Sequence, residues 1–514
     1  MLNSRILRNA KLNKFDLSHV HTTSGDMGWL LPVGCIEVLP NDWFRIRDEF
    51  LVRFMALISP AMHIYNVKMH WWFCPTRLGW KNFPDFITGG EKGEDNSTPP
   101  YVIAPEGGFA PGSLMNRLGA PANVGGIKVS ALPPRLYNLI CNEWYRNEWI
   151  QDRLEVSLDD GEDTTTSLEL RRALWQRDYF TRMLPSPQKG ADVTLPLGVS
   201  APVLGNGKAI ALKPNVEANP GTDGYQFGGN ISGNQAAYVR TGQAANPFGL
   251  NTEGDTGVYA DLSAVPGVSI NTIRRGGAVM QFQEAAGLFG SMYSEMIPAQ
   301  YGVYCPDASL QRPQYLGGSS APVVISQVLQ TSSSNSSSPQ GNMAGHGVSA
   351  GLGHEIKFHA REFGFLFCIM SVMPKTAYFQ GIPRFMSRET RYDYGIPLLA
   401  HIGEMGVKNK ELYAQGNDQD EEIAGYVPQY DDYRSIPDSI SGQLVSTLKF
   451  WTSAREFENL PTLSSEFIEA HPTDRIFAVD EERPNSDHLV IQVAHHIKAL
   501  RPLPKQGVPG MHVI

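Results

Sequence analysis

The stretch HLVIQVAHHIKAL, residues 488–500, places Leu489, Ile491 and Val493 at every second position. An apolar repeat with a period of two is typical of a β-strand with one buried face. Similar apolar, β-branched and aromatic runs occupy four other stretches, three of them near the start of the chain: residues 29–40, 50–60, 62–75 and 362–374. Strands at both ends of the 514-residue chain predict one sheet system that joins early and late strands, with long connections that carry insertions.

The composition is that of a globular protein with a large core. Hydrophobic residues make up 42% of the chain and charged residues 18%. The 50 glycines and 36 prolines favour many turns and short strands over helical bundles. Together with the strand patterns, the composition predicts an all-β fold with helical insertions.

Charge and cysteine content limit the class of protein. A formal net charge of -9 argues against a protein that binds nucleic acid over its whole surface, because phosphate binding depends on clustered Lys and Arg. The five cysteines lie far apart and suggest neither a disulfide framework nor a zinc knuckle, which fits synthesis in a reducing cytoplasm. No apolar stretch has the length of a signal peptide core or of a membrane span, so we expect neither.

Several connecting segments have a distinct character. Residues 166–184 and 270–297 are helix-like and are predicted to lie between strands, the second weakened by four glycines. Residues 196–267 are crowded with Gly, Asn, Ala, Thr and Pro, which predicts turn-rich structure. Residues 331–353 form a Ser/Gly tract expected to be a flexible loop. The acidic stretch 418–438 is predicted to face solvent or cations, and the pattern leaves cation binding open.

The first sixteen residues form a basic arm in an acidic protein. Arg5, Arg8, Lys11 and Lys14 recur at intervals of three, and no acidic residue precedes Asp16. A helical arm would carry a one-sided cationic stripe, whereas the alternative is a solvated, frayed terminus.

His19 and His21 are two residues apart, a spacing that places both imidazoles on one face of a strand. Two such ligands can begin a metal site, but no obvious partner motif follows. We therefore favour a structural or interfacial role for the pair and predict no metal. The sequence also contains no P-loop or H-E-x-x-H motif, so we predict neither an enzyme nor a cofactor.

Aromatic residues crowd two stretches, residues 71–86 and 142–152, with Pro, Asn and Arg between them. Such loops bury against the protein's own core, a sugar or base, or the next copy of the chain. We predict that a set of these side chains lies at subunit interfaces: Trp71, Trp72, Trp80, Phe83, Trp144, Tyr145 and Trp149.

Seven stretches in order along the chain resemble the major capsid protein family of the Microviridae, small single-stranded DNA bacteriophages, and in particular its gokushovirus-like branch. They are FDLSHVHTTSGDMG (15–28), NEWYRNEWIQD (142–152), RDYFTRMLPSPQKG (177–190), YCPDASLQRPQYLGG (304–318), RYDYGIPLLAHIGEMGVKNKELYAQG (391–416), LPTLSSEFIE (460–469) and RPLPKQGVPG (501–510). The resemblance spans the chain except for residues 196–267 and 331–353.

The resemblance implies a fold and a division of the chain. The family fold is a single eight-stranded antiparallel jelly roll, here residues 17–514 after the arm of residues 1–16. Its large insertion forms a protrusion at the threefold axes, which we place at residues 196–267. The protrusion implies a host-recognition tip, for which the candidate residues are Tyr225, Phe227, Asn230, Tyr238 and Phe248.

The resemblance also implies function and partners. About sixty copies would close into a T=1 icosahedral shell around a circular single-stranded DNA genome, synthesised and assembled in the bacterial cytoplasm. The implied partners are the packaged DNA, a small basic DNA-binding phage protein, an internal scaffolding protein and a host surface receptor. The basic arm, with Arg5, Arg8, Lys11 and Lys14, is the predicted DNA-facing element.

Two other classes of protein remain open at this point. Stacked aromatic residues and scattered carboxylates also suit a carbohydrate-binding or carbohydrate-active jelly roll, which would be a monomer or a small oligomer. A cupin-like metalloenzyme built on His19 and His21 is the third alternative.

Overall fold

Two antiparallel sheets dominate the computed structural model, which describes residues 12–191, 203–205, 212–214, 248–250, 258–260, 270–290, 292–329, 331, 343–478 and 486–505. The strands, in chain order, are β1 (Asn13–Asp16), β2 (His19–Gly25), β3 (Leu31–Val38), β4 (Trp43–Phe54), β5 (Tyr65–Pro75), β6 (Tyr101–Ile103), β7 (Lys128–Ser130), β8 (Val203–Gly205), β9 (Leu212–Pro214), β10 (Phe248–Leu250), β11 (Val258–Ala260), β12 (Gln314–Pro322), β13 (Val324–Leu329), β14 (Met343–Leu352), β15 (Ile356–His359), β16 (Gly364–Pro374), β17 (Ala377–Tyr378), β18 (Glu404–Lys408), β19 (Ile423–Pro428), β20 (Asp438–Ser439) and β21 (Leu489–Arg501).

Helices connect the strands. The α-helices are α1 (Thr76–Gly79), α2 (Phe83–Thr88), α3 (Leu114–Arg117), α4 (Leu132–Trp144), α5 (Ile270–Phe289), α6 (Tyr293–Tyr301), α7 (Asn409–Leu412) and α8 (Ser465–Ile468). Short 3-10 helices cover Arg384–Met386, Arg391–Asp393, Pro397–Leu399, Asp418–Glu421, Asp431–Tyr433, Gly442–Val445 and Lys449–Trp451. None of the helices in the described ranges combines the length and the apolar character that crossing a bilayer requires.

The larger sheet has seven strands, with β21 and β4 at its centre. These two strands pair from Leu489 opposite Phe54 to Leu500 opposite Trp43. The other edge of β21 pairs with β2 and β1, while β4 pairs on its far side with β14 and β15, and β13 lies beside β14. The last strand of the chain therefore lies between its first strands and β4, which confirms the predicted pairing of early and late strands.

The smaller sheet has four strands in the order β12, β5, β16, β3. β16 pairs with β5 along its whole length and with β3 on the other side. The runs predicted as strands near residues 29–40, 62–75 and 362–374 form β3, β5 and β16. The run at 50–60 contributes the end of β4, which begins earlier, at Trp43.

The main core lies between the two sheets. Phe44 and Val52 of β4 and Ile491 of β21 face Val67 of β5 and Met370 of β16, and all five side chains are buried. Complete burial of each such side chain is worth about 1.5–3 kcal/mol. The two sheets therefore form a β-sandwich, in agreement with the predicted all-β class with helical insertions.

A buried polar network connects the sheets within this core. The Asp48 carboxylate of β4 accepts a hydrogen bond of 2.5 Å from Trp71 Nε1 of β5 and lies 2.6 Å from His495 Nδ1 of β21. His495 Nε2 lies 3.0 Å from the carbonyl oxygen of Val33 on β3. Each polar atom of Asp48 and of the His495 ring thus has a partner, which is the condition for burying such groups at low cost.

The outer face of the smaller sheet is covered by α4. Trp72 and Phe367, which point away from the main core, pack against Leu136 and Ile140 of this helix in a second buried cluster. The sequence patterns did not predict α4, although its two prolines stand at the helix start, where proline is tolerated. In contrast to this sheet, the larger sheet presents exposed side chains along its outer face.

The helix predicted for residues 166–184 is wrong. Ala173 donates a hydrogen bond to the carbonyl of Gly28, and Ala470 donates one to the carbonyl of Ala173. Trp175 donates another to Ile468, so the segment runs extended between two partners. Backbone pairing with distant residues has outweighed the local helix preference.

The predicted flexible loop at residues 331–353 is also corrected in part. Residues 343–352 form β14, which pairs with β4 and β13. Its glycines fit close to large rings: a Cβ on Gly351 would lie 2.2 Å from Phe50 Cζ. Glycine content here reflects close packing against a core residue, not flexibility. Most of the remaining tract lies outside the described residues.

The prediction of helix in residues 270–297 is confirmed by α5 and α6, which are separated at Gly290 with a φ of 93°. The chain divides into two compact units, one from residues 1–187 and 286–514 and one from residues 188–285. Within the second unit, β8 pairs with β11 and β9 with β10.

Candidate nucleic-acid interface

The outer face of the larger sheet carries a cluster of basic side chains. In β4 the residues alternate, so that Phe44 and Ile46 point into the core while Arg45 and Arg47 point outward. Neighbouring strands add outward-facing lysines at the same end of the sheet. We call this set the cationic face: Lys14, Arg45, Arg47, Lys357 and Lys498.

Strand register places like charges directly opposite one another on this face. Lys357 of β15 pairs with Arg45, and Arg45 pairs on its other side with Lys498 of β21. Like charges in directly opposed positions destabilise a sheet, because their side chains lie about 5 Å apart at the Cβ atoms. A polyanion on this face would remove the repulsion.

An exposed aromatic residue borders the cations. The ring of Trp43 stacks on His359 with a centroid distance of 4.0 Å and an interplanar angle of 14°, and Trp43 remains 48% exposed. Leu500 and Lys14 continue the same row of the sheet. A flat aromatic surface beside Lys and Arg is the arrangement on which single-stranded nucleic acid stacks its bases.

Three carboxylates lie on or beside the face, fewer than the five cations. Asp16 is held by hydrogen bonds from the side chain and backbone of Ser18, which lower its pKa. Glu355 lies 3.4 Å from Lys357, and Glu49 lies 3.7 Å from His496. Arg45 and Arg47 have no ion pair with any residue in the part of the chain that the structure describes. The two arginines are therefore available to an external anion.

The predicted DNA-facing arm is described only at its end. Arg5, Arg8 and Lys11 lie outside the described residues. Lys14 is exposed on β1, at the edge of the larger sheet and beside Leu500. The arm is thus joined to the chain at the border of the cationic face.

Three predicted interface residues need correction. Trp71, Trp72 and Trp80 are 0%, 3% and 1% exposed within this single chain. Trp71 belongs to the main core, Trp72 packs beneath α4, and Trp80 donates a hydrogen bond to Asp160. Side chains already covered by their own chain offer no surface to a neighbouring subunit.

The other predicted interface aromatics are half-buried. Phe83 begins α2 and contacts Trp80 and Phe363. Trp144 and Tyr145 end α4 and contact Trp72. Trp149 follows in the next turn, and the role of these four residues in an interface stays a prediction.

Of the five predicted receptor-binding residues, the structure describes one, Phe248. Tyr225, Phe227, Asn230 and Tyr238 lie outside the described residues. Phe248 begins β10, which pairs with β9.

His19 and His21 lie on β2 with both rings on the side of the sheet that faces His495, as the strand spacing predicts. Burial, and next to it electrostatic interaction with His495, His19 and Arg117, lowers the pKa of His21. Within the described ranges, one group of potential ligands comes together, namely Asp48, Cys368 and His495. Both ring nitrogens of His495 already have protein partners, so the group is better explained as a structural network than as a metal site.

Sequence reasoning missed the cationic face, although its signal is present. In the string WFRIRDEF, residues 43–50, Phe44 and Ile46 alternate with Arg45 and Arg47. Such a pattern predicts a strand with one charged face. The missing information was register, because only pairing with β15 and β21 brings Lys357 and Lys498 beside Arg45.

A β-sandwich with one covered sheet and one cationic sheet suits a structural subunit that faces a polyanion. A family model described as capsid protein (F protein) matches residues 4–511, and the chain belongs to this family. The chain is 32% identical to capsid protein VP1 of Chlamydia phage 1, over 98% of this chain and 96% of that protein. It is 33% identical to capsid protein VP1 of Bdellovibrio phage phiMH2K, over 94% and 92% of the two chains.

A third relative, capsid protein VP1 of Spiroplasma virus 4, is 30% identical over 98% of this chain and 96% of its own length. The resemblance to Microviridae capsid proteins of the gokushovirus-like branch, predicted from the seven stretches, is confirmed.

Proposed function

We propose that about sixty copies of this major capsid protein close into a T=1 icosahedral shell that encloses a circular single-stranded DNA genome. The observation that carries the proposal is the match to phage capsid proteins over almost the whole length of both chains. Membership of this family supports a structural and not a catalytic role. Synthesis and assembly in the bacterial cytoplasm belong to the same proposal.

The proposal includes an eight-stranded jelly-roll topology. Taking β1 with β2 and β14 with β15 as single strands, and leaving out β13, which lies at the edge of the larger sheet beside β14, gives eight strands. In this numbering the larger sheet runs first, eighth, third, sixth, and the smaller sheet runs second, seventh, fourth, fifth. Successive strands change sheets except between β5 and β12, as expected when a long hairpin is rolled into a sandwich. The segments between them carry the insertions, including the proposed threefold protrusion at residues 196–267.

The cationic face is assigned to the interior of the shell. Its cations, the exposed Trp43 and the adjoining basic arm supply phosphate attraction and base stacking in one region of an acidic protein. A small basic phage protein would offset the remaining genome charge. An internal scaffolding protein during assembly and a host receptor at the protrusion complete the proposed partners.

Electron microscopy and sedimentation of the full-length expressed protein test the assembly. Sixty copies of a 56.7 kDa chain predict uniform particles of about 3.4 MDa before DNA is added. The protein is expressed alone and together with candidate phage partners, so that dependence on scaffolding is measured in the same experiment. A protein that stays monomeric in every combination would contradict the proposal.

A further inference from the structure

Two irregular segments of the protein, which contain none of the residues of the cationic face, expose many large apolar side chains. They are the segment that contains the 3-10 helices Arg384–Met386, Arg391–Asp393 and Pro397–Leu399, and the segment around Asp431–Tyr433. We call these side chains the 385–436 patch: Phe385, Met386, Tyr392, Tyr394, Leu398, Ile402, Tyr433 and Ile436.

All eight side chains are more than half exposed to solvent. Leu398 and Ile436 are 86% and 87% exposed, and the other six range from 53% to 67%. Summed over the eight side chains, the exposed surface on these two segments is roughly 800–1,000 Å². The largest apolar patch of a typical monomer is about 300–600 Å², whereas a stable interface takes about 800 Å² from each partner.

Arg388 connects the two segments of the patch. Its guanidinium donates to Tyr433 Oη at 2.5 Å and pairs with Asp432 at 2.5 Å. The same group lies 4.5 Å from the ring centroid of Tyr433 and 5.2 Å from that of Tyr394. Tyr433 Oη also accepts a hydrogen bond from the Gly395 backbone, which connects the two parts of the patch.

The cluster of Arg388 with Tyr394 and Tyr433 favours a protein partner over nucleic acid. Tyr and Arg are the residues most enriched among those that dominate binding energy at protein interfaces. A preformed cluster loses little conformational freedom on binding. The surrounding charges balance, because the cations Arg391 and Arg434 are offset by two carboxylates of the same segment, Glu389 and Asp393. Asp432 neutralises Arg388. A surface without net positive charge has no attraction for phosphate, but it can pair with a copy of itself or with another surface of the same chain.

We propose that the 385–436 patch is a contact between copies of this chain in the shell. The inference rests on the proposed assembly and goes beyond it by assigning that assembly a surface. A shell built from one kind of subunit must cover its large apolar surfaces with other copies, and this patch has the area and composition of one half of such a contact.

The test uses charge at the two most exposed positions. Leu398→Asp combined with Ile436→Asp places carboxylates in the patch without touching the core, so the melting temperature of the isolated subunit should stay at the wild-type value. The concentration required for particle formation should rise roughly tenfold or more, because buried anchors dominate interface energy. Leu398→Met with Ile436→Val is the matched control and should assemble as the wild type does.

A footprint of the wild-type protein provides a readout that needs no variant. Hydroxyl-radical oxidation should label Phe385, Met386 and Leu398 in dissociated subunits and should label them several-fold less in particles that contain only this chain. Equal labelling in both states, or normal assembly of the doubly charged variant, would overturn the inference while the capsid function stands. If the wild type forms no particles in any condition, the proposed assembly itself is contradicted. If the patch side chains are labelled equally in subunits and particles, and are protected only after another phage protein is added, then the patch binds that protein.

Discussion

At the scale of single residues, the buried carboxylate of Asp48 organises the sandwich. It bonds Trp71 from the opposite sheet and His495 from the neighbouring strand, and all three side chains are almost completely buried. The sequence places His495 on the same face of the stretch 488–500 as Leu489, Ile491 and Val493. It could not show that the partner is Asp48, because 447 residues separate the two in the chain.

Substitution of Asp48 by Ala should be severely destabilising. The change leaves Trp71 Nε1 and His495 Nδ1 buried without partners, so we expect a loss of about 3–5 kcal/mol in the free energy of unfolding. Urea denaturation of the isolated subunit measures this loss. Glu49→Ala, one residue along the same strand but exposed, is the control and should change the free energy by about 0.5 kcal/mol or less. Similar effects of both substitutions would contradict the network.

His21 should make the subunit less stable in mild acid. Burial, and next to it electrostatic interaction with His495, His19 and Arg117, lowers its pKa in the folded state. Below the unfolded pKa of about 6.5, the unfolded chain therefore binds a proton that the folded chain does not, and the free energy of unfolding falls as pH falls through this range.

The variant His21→Asn should reduce the slope of stability against pH between about pH 6.5 and 5. It should not abolish the slope, because burial also lowers the pKa of His63, His70 and His471. Thr22→Asn, an exposed change on the same strand, is the control. A slope in His21→Asn equal to that of the wild type would show that His21 does not carry this effect.

At the scale of elements, strands were predictable where one face alternates, and segments stabilised by distant partners were not. β21 and β16 follow directly from their apolar pattern. Residues 166–184 have helical periodicity, yet they lie extended because Gly28 and Ile468 supply hydrogen bonds from elsewhere in the chain. The aromatic stretches show the same limit, since nothing in the local sequence distinguishes Trp71 in a core from an aromatic residue at an interface.

The cationic face should contribute directly to binding of single-stranded DNA. In the variant Arg45→Glu with Lys498→Glu, the slope of log binding constant against log salt concentration should fall by about 0.7 for each phosphate that the protein no longer neutralises. Fluorescence titration of an oligonucleotide at several KCl concentrations measures the slope. Lys92→Glu, an exposed cation in the loop after α2, is the control. Equal slopes in all three proteins would show that this face does not bind the DNA backbone.

Trp43 should contribute to the same binding through stacking. Trp43→Ala is expected to weaken the binding of single-stranded DNA by about 1–3 kcal/mol, with little change in the salt dependence, because stacking involves no phosphate. Trp43→Phe keeps an aromatic ring and should retain most of the affinity. If Trp43→Phe and Trp43→Ala weaken binding equally, then stacking on this side chain is not the cause.

At the scale of the whole molecule, the protein combines a net charge of -9 with one cationic sheet face and one large apolar patch. The charge balance alone argued against DNA contact over the whole surface. The sheet register shows how an acidic protein can still present a local basic surface. Because α4 covers the outer face of the smaller sheet, the exposed sheet face is that of the larger sheet. The cationic face was not accessible from composition, because it depends on which strands are neighbours.

We propose that sixty copies enclose DNA with the cationic face directed inward. Cryo-electron microscopy of DNA-filled particles tests it most directly, since one map gives the copy number, the orientation of the sandwich and the position of the nucleic acid. We predict a T=1 shell in which nucleic-acid density lies against Trp43, Arg45 and Lys498. A shell that presents these side chains on its outer surface, or particles with no density beside them, would contradict the claim.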